Sequence, residues 1–240
     1  MNVIIPTRRE FTSGLGAIVV AFSLDPMLAL AQSAPLPGSL AQNRMLDAWI
    51  RINADGTATI FPGKVELGQG ITTALTQIAA EELDLPLARV RVLTTDTSRS
   101  PNEGVTSGSQ SIEYGGTALR LASAEVRGIL IELAAKRLGA AADTLTVADG
   151  TIGSADGRKV TYGELAAEIN LHREATAKVA PKPPATHKIV GKSIPRFDIP
   201  KKVTGGVAYV QDMRLPAWCM GVSCARHVRA PSSTASMRRP

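Results

Sequence analysis

The chain has 240 residues, of which 44% are hydrophobic, a share that allows one or two packed domains of ordinary size. Only 4% are aromatic, so a core must rest mainly on Val, Ile, Leu and Ala, as in α/β layer proteins. The net charge of +6 arises in residues 172–240, where 13 Lys and Arg oppose 3 acidic residues. Because these cations are scattered among prolines, they argue against a nucleic-acid partner.

The N-terminus has the layout of a twin-arginine signal peptide. Arg8 and Arg9 precede a short apolar run at residues 14–24, and small residues lead to a cleavage point after Ala31. The run is too short and too interrupted for a permanent membrane span. The pattern predicts that residues 1–31 are removed and that the mature protein is periplasmic. A cytosolic first helix that contains two arginines is the alternative.

A linker rich in Pro, Gly, Ser and Gln is predicted at residues 32–47, before the first strands. Residues 49–53 and 57–60 then flank an Asp55-Gly56 turn. Apolar residues on both sides of an Asp-Gly pair are typical of a β-hairpin, which we therefore predict here.

Two helices are predicted from apolar residues at helical spacing. The first covers residues 71–84, and a strand with alternating polarity follows at 89–95. The second passes through residues 119–133, and Gly139 is well placed to end it. Both helices are expected to cover one sheet, which gives a fold of the α/β class with α+β layers.

The last part of the first unit has short elements. A strand is predicted at residues 145–147, and Asp-Gly pairs mark turns at 149–150 and 156–157. Thr161 and Glu164 have the spacing of a capping box, which predicts a short helix. These elements complete a predicted domain at residues 48–171.

Residues 172–188 are rich in Lys, Pro and Ala, which indicates a linker to a second unit at residues 189–240. A strand is predicted in this unit at residues 207–210. A unit of about fifty residues buries too little surface to be stable alone, so we expect it to be an incomplete domain.

Two small-residue loops are candidates for chemistry. The glutamine loop (residues 66–70, Glu-Leu-Gly-Gln-Gly) precedes the first helix, where backbone N–H groups could meet an anionic ligand. The serine loop (residues 106–111, Thr-Ser-Gly-Ser-Gln-Ser) leads into the second helix and could also cradle phosphate. Taken alone, the glutamine loop favours an ordinary tight turn, and the serine loop could equally be a surface loop.

Taken together, three segments resemble the second molybdopterin-binding domain of the xanthine dehydrogenase and aldehyde oxidase family. They are the glutamine loop continued by Ile71, Thr72 and Thr73, residues 77–83, and the serine loop with Gly116 and Ala118 beyond it. Residues 191–205 and 209–216 resemble the start of that family's hammerhead domain. Because this domain follows the molybdopterin domain and a twin-arginine signal, the arrangement resembles isoquinoline 1-oxidoreductase beta subunits and related bacterial dehydrogenases.

The resemblance implies roles for both loops. The glutamine loop would contact the molybdenum centre and the pterin, and the serine loop would hold the dithiolene and phosphate side. The cofactor-binding residues expected on this basis are Leu67, Gly68, Gln69, Gly70, Gly108, Ser109, Gln110 and Ser111.

The implied protein is a molybdenum hydroxylase large subunit that oxidises an N-heterocycle or an aldehyde with oxygen from water. Its cofactor would be molybdenum-molybdopterin, and it is open whether the pterin carries cytosine dinucleotide. Iron-sulfur clusters need about four cysteines each, yet this chain has only Cys219 and Cys224. The clusters are therefore expected on a small partner subunit, with a cytochrome or another electron acceptor as a further partner. The two cysteines are expected to be inert or disulfide-bonded.

No catalytic or metal-binding residue is assigned. In the family the base is a glutamate near the C-terminus of longer subunits, so Glu66 is not substituted for it, and the chain alone is expected to be inactive. Residues 233–240 depart from the family, which predicts a fragment ended by a frameshift or a premature stop. His172, His187 and His227 show no ligand spacing. The alternatives are a periplasmic anion-binding or scaffold protein and a non-functional truncated product.

Overall fold

The computed structural model of the chain describes residues 36–93, 95–207, 209–214 and 216–217. The predicted signal peptide, Cys219, Cys224, His227 and the irregular tail lie outside the described residues. The described part is a mixed structure of helices and sheets, as predicted from the sequence. Its strands form two separate three-stranded sheets, a division that the sequence did not indicate.

The first sheet carries the strands that lead into the candidate site. Its strands, in order, are β1 at Ile50–Ile52, β2 at Ala58–Ile60 and β3 at Val90–Val92. β1 and β2 form the predicted antiparallel hairpin. At its turn Gly56 has a φ of +75°, and the Asp55 carboxylate accepts the N–H of Thr57 at 3.0 Å. β3 is parallel to β2, and helix α1 (Ile71–Leu83) connects the two strands.

The second predicted helix is confirmed as α2 (Thr117–Leu138), and it ends at Gly139 with a φ of +61°. A single π-helical turn at Ser111–Gly116 precedes α2. α1 and α2 pack against each other, and the alanines of both helices allow their backbones to approach closely. The fully buried alanines are Ala79, Ala80, Ala118, Ala122, Ala124 and Ala134.

The second sheet is an antiparallel meander. Its strands are β4 at Thr146–Ala148, β5 at Thr151–Gly153 and β6 at Lys159–Thr161. The predicted capping box is present: Thr161 and Glu164 cap helix α3, which spans only Tyr162–Leu165. The buried Tyr162 hydroxyl donates to the Leu83 carbonyl at 2.9 Å, and burial raises the pKa of this phenol. This bond joins the meander to the C-terminal end of α1.

Residues 176–190, here called the strap, lie across the two long helices. Three buried glutamates, Glu81 and Glu82 of α1 and Glu125 of α2, accept its backbone N–H groups. The donors are Thr176, Ala177, Lys182, Lys188, Ile189 and Val190, at 2.6–3.2 Å. The composition of this segment indicated a linker, and it gave no sign that the linker is bound along its length.

The strand predicted at residues 207–210 is wrong for the described residues. After the strap, helix α4 spans Ile199–Val203, and Val210–Asp212 form a 3-10 turn. Val207 and Tyr209 are exposed, and no neighbouring strand pairs with them in the described part of the chain, so this short apolar run does not form a strand. Further 3-10 turns are at Gly38–Ala41, Leu46–Ala48, Leu87–Arg89, Ala142–Thr144 and Pro184–Thr186. Within the described ranges, no helix is long and apolar enough to cross a membrane.

Candidate functional site

The glutamine loop and the serine loop, which are about forty residues apart in the sequence, form the walls of one open groove of about 580 Å³. Six of the eight predicted residues line it: Leu67, Gln69, Gly70, Gly108, Ser109 and Ser111. Gly68 and Gln110 do not. The lining is completed by residues that were not predicted to bind the cofactor: Ile71, Ala74, Thr106, Ser107 and Ile112.

The anion at the start of α1 is a carboxylate of the protein itself. Glu66 accepts N–H bonds from Gly68 at 2.8 Å, from Gly70 at 2.9 Å and from Thr72 at 3.1 Å. Burial would raise the pKa of Glu66, but these three donors outweigh it and lower the pKa. The expectation that these loop amides receive an external anion is therefore corrected, because Glu66 already occupies them.

The Gln69 side chain is folded onto its own loop. Its amide nitrogen donates to the Val65 carbonyl at 2.9 Å, and its amide oxygen accepts the N–H of Leu67 at 2.5 Å. A primary amide has two N–H donors and two oxygen lone pairs. Gln69 can thus hold the loop and still offer one donor and one lone pair to a ligand in the groove.

The serine loop has the conformation better suited to an anion. Gly108 and Ser109 have φ values of +59° and +62°, and Gln110 returns to the right-handed helical region. Such turns direct successive N–H groups to one side. A left-handed serine is strained by about 1–2 kcal/mol, and strained residues cluster at functional sites. The helix that begins at Ser111 has no side-chain cap. Because the serine loop directly precedes this helix, the positive end of the helix dipole adjoins the loop.

A buried lysine ties the two loops together. Lys64, only 2% exposed, donates to the carbonyl oxygens of Glu103 at 2.7 Å and Val105 at 2.8 Å. The N–H of Val65 also donates to the Thr106 hydroxyl at 3.0 Å. These bonds join the residues just before the glutamine loop to those at the start of the serine loop, so they set the width of the groove.

Glu103 connects this link to the π-helical turn. One of its carboxylate oxygens accepts the Gly63 N–H at 2.7 Å. The other has no hydrogen-bond partner among the described residues and lies where a side chain at Gly115 would fall, 2.6 Å from a Cβ built there. A side chain at position 115 would therefore displace the Glu103 carboxylate. Neither Lys64 nor Glu103 was predicted from the sequence. The available signal for Lys64 was a charged residue within the apolar run that follows β2.

The groove is amphipathic and carries no charged side chain in its lining. Leu67 and Ile112 are 69% and 47% exposed, and the hydroxyl-bearing Thr106, Ser107, Ser109 and Ser111 line the same groove. A Cβ built at Gly68 or Gly108 meets nothing within 4 Å, so both backbones are open to close approach. Within the described residues no cluster of three or more His, Cys, Asp or Glu could hold a metal ion. The lining can bind a flat, partly apolar, anionic molecule.

Comparisons with known proteins agree on one family. The model of the molybdopterin cofactor-binding domain matches residues 7–194. The B subunit of nicotinate dehydrogenase from Pseudomonas putida is 36% identical over 228 residues, which cover 95% of this chain and 19% of that protein. The beta subunit of isoquinoline 1-oxidoreductase from Brevundimonas diminuta is 32% identical over 88% of this chain and 32% of its own length. The chain thus spans about a fifth to a third of these relatives.

Among solved structures, CO dehydrogenase from Oligotropha carboxidovorans aligns with 52% of this chain and 17% of its own, at 25% identity and a TM-score of 0.46.

Proposed function

Since the chain belongs to the xanthine dehydrogenase and aldehyde oxidase family of molybdopterin-binding oxidoreductases, we propose that its two loops form part of a surface for the molybdenum-molybdopterin cofactor. The observation that carries the proposal is the shared groove, where six of the eight residues expected to bind the cofactor meet. An uncharged, half-apolar lining with hydroxyls and free backbone N–H groups suits a pterin that carries a phosphate.

The two loops would divide the cofactor between them. The serine loop would hold the phosphate end, through N–H groups at Gly108 and Ser109 and the dipole of the helix behind them. Gln69, with its remaining donor and lone pair, would face the pterin and metal end, and Leu67 would cover the ring. When bound, the cofactor supplies a two-electron oxidation that adds oxygen from water to a substrate carbon.

The names of the relatives support a proposal for the wider activity. Nicotinate and isoquinoline, from which the two relatives take their names, are N-heterocycles, so we place this chain in the large subunit of a molybdenum hydroxylase for an N-heterocycle or an aldehyde. Electrons would leave through iron-sulfur clusters of a small partner subunit. Residues 189–240 would begin a hammerhead domain. Nucleotide analysis of the bound cofactor would decide whether the pterin carries cytosine dinucleotide.

Binding of released molybdenum cofactor tests directly whether the two loops form part of its binding surface. The probe is molybdenum cofactor freed from a denatured molybdenum hydroxylase, titrated without oxygen and followed by pterin fluorescence. Ser109→Asp places a negative charge at the phosphate end and should weaken binding about tenfold. Ala148→Asp, exposed on β4, adds the same charge in the second sheet and should leave binding unchanged.

Two results would contradict this function. Equal affinity of the wild type and Ser109→Asp would show that the cofactor does not use the serine loop. Inorganic phosphate bound as tightly as the cofactor would favour a general anion-binding protein instead.

We also propose that the chain is exported by the twin-arginine route to the periplasm. Replacing Arg8 and Arg9 together with Lys should leave the precursor in the cytoplasm, while Arg44→Lys, outside the signal, should not affect export. Cell fractionation with an antibody to the chain measures the distribution. Export of the double variant at the wild-type level would refute the signal.

A further inference from the structure

The motif that follows the strap makes direct contact with the glutamine loop. Arg196 donates through Nη1 to the Gly68 carbonyl at 2.7 Å, and its Nη2 lies 3.7 Å from the Glu66 carboxylate. The next residue, Phe197, donates its N–H to the Thr73 hydroxyl on α1 at 3.1 Å. The segment therefore packs against the loop, and neither Arg196 nor Phe197 is part of the groove lining.

The carboxylate of Asp198 orients the guanidinium of Arg196 toward the loop. Asp198 accepts two of its N–H groups, from Nε at 3.0 Å and from Nη2 at 2.7 Å. Lys202, one helical turn further on α4, donates to the same Asp198 carboxylate at 2.6 Å. A bidentate pair of this kind fixes the plane of the guanidinium, so the remaining nitrogen points at Gly68.

Gly70 leaves the space that Arg196 needs. A Cβ built at Gly70 would lie 3.3 Å from Arg196 Nε, slightly closer than ordinary contact, and 3.4 Å from its Cδ. With a φ of +85°, the same residue also has a backbone conformation that favours glycine. The glycine thus allows both the turn into α1 and the contact with the arginine side chain.

We propose that Arg196 is a positioning residue for the glutamine loop. It fixes the Gly68 carbonyl and, through Glu66, the three amides that Glu66 binds, and in this way holds Gln69 and Leu67 toward the groove. This inference rests on the proposed function insofar as the loop is a cofactor wall. The hammerhead-like segment would therefore support the site without lining the groove.

Hydrogen exchange of the full chain tests the positioning without cofactor. In Arg196→Gln, peptides that contain the amides of Gly68, Gly70 and Thr72 should exchange about tenfold faster, because a hydrogen bond to a charged group is lost. Arg196→Lys keeps the charge and one donor, and should restore part of the protection. Peptides from α2 should exchange at wild-type rates in both variants.

Arg158 provides a matched control. It pairs with Asp156 two residues away and donates to the Leu138 carbonyl at the end of α2. Arg158→Gln should speed exchange near that helix end and leave the glutamine loop unchanged. Unchanged loop exchange in Arg196→Gln, or an equal rise throughout the chain, would overturn the proposal.

Cofactor titration of the same variants separates the positioning role of Arg196 from the cofactor-binding role of the glutamine loop. Faster loop exchange together with about tenfold weaker cofactor binding in Arg196→Gln supports both. Faster loop exchange with wild-type binding keeps the positioning contact and refutes the loop as a cofactor wall.

Discussion

The Lys64 ammonium group donates to the backbone carbonyl of Glu103 at 2.7 Å, although 39 residues separate them in the chain. The bond is buried and joins the residues before one wall of the groove to those before the other. The shape of the groove therefore depends on a cation that does not itself line it.

Lys64→Met should lower the free energy of unfolding by about 2–3 kcal/mol, because the carbonyls of Glu103 and Val105 lose their donor in a buried place. Urea denaturation measures this loss. Lys159→Met, at an exposed position on β6, should change stability by less than about 0.5 kcal/mol. Equal stability of the two variants would mean that Lys64 does not hold the loops.

Glu81→Gln should release the end of the strap. One oxygen of Glu81 accepts the N–H groups of Lys188, Ile189 and Val190 at 2.6–3.0 Å, and a neutral amide is a weaker acceptor for all three. Trypsin should then cut after Lys188 about tenfold faster. Glu132→Gln, exposed on α2, serves as the control. Unaltered cleavage at Lys188 would argue that other contacts hold the strap.

The acid stability of the chain should depend on Glu66. Since its pKa is lowered in the folded chain from the ordinary value of 4.5, its contribution is present above that value and is lost as the pH falls through the lowered pKa. Glu66→Gln should be less stable by about 1–2 kcal/mol near neutral pH. The difference should shrink as the pH is lowered to about 3, as thermal unfolding at several pH values can show. A difference that stays constant with pH would contradict this role.

Ser109→Val should lower stability by about 1–2 kcal/mol, because a branched side chain fits poorly at a φ of +62°. Ser107→Val, two residues earlier in the same loop, lacks a positive φ and should cost less than about 0.5 kcal/mol. Chemical denaturation of both variants measures the contrast. Equal losses would indicate that Ser109 is not strained.

Local signals made much of the fold predictable. The spacing of apolar residues located α1 and α2, and Gly139 and the Thr161–Glu164 pair marked helix ends, because capping needs only residues near one another in sequence. The predicted strand at residues 207–210 is absent because a short run of apolar residues forms a strand only where a neighbouring strand can pair with it.

The loops could be found from sequence, but their surroundings could not. Their convergence depends on the parallel pairing of β2 and β3, which brings distant segments together. Glu66 could not be recognised as an internal cap, because a glutamate before two glycines has the same pattern whether or not it binds their amides. Lys64 and Arg196 act through bonds to residues far away in the chain, for which one sequence gives no periodic signal.

The strap also fixes the point from which the following chain must reach the glutamine loop. Glu81 fixes Val190, and Arg196 must reach Gly68 from there through residues 191–195. Each residue removed shortens the reach of the chain by up to about 3.5 Å, which exceeds the length of the bond that Arg196 makes. Deletions in this interval should therefore be poorly tolerated. Extra residues inserted between the Ala177 and Lys182 attachments can bulge into solvent and leave the arginine in place.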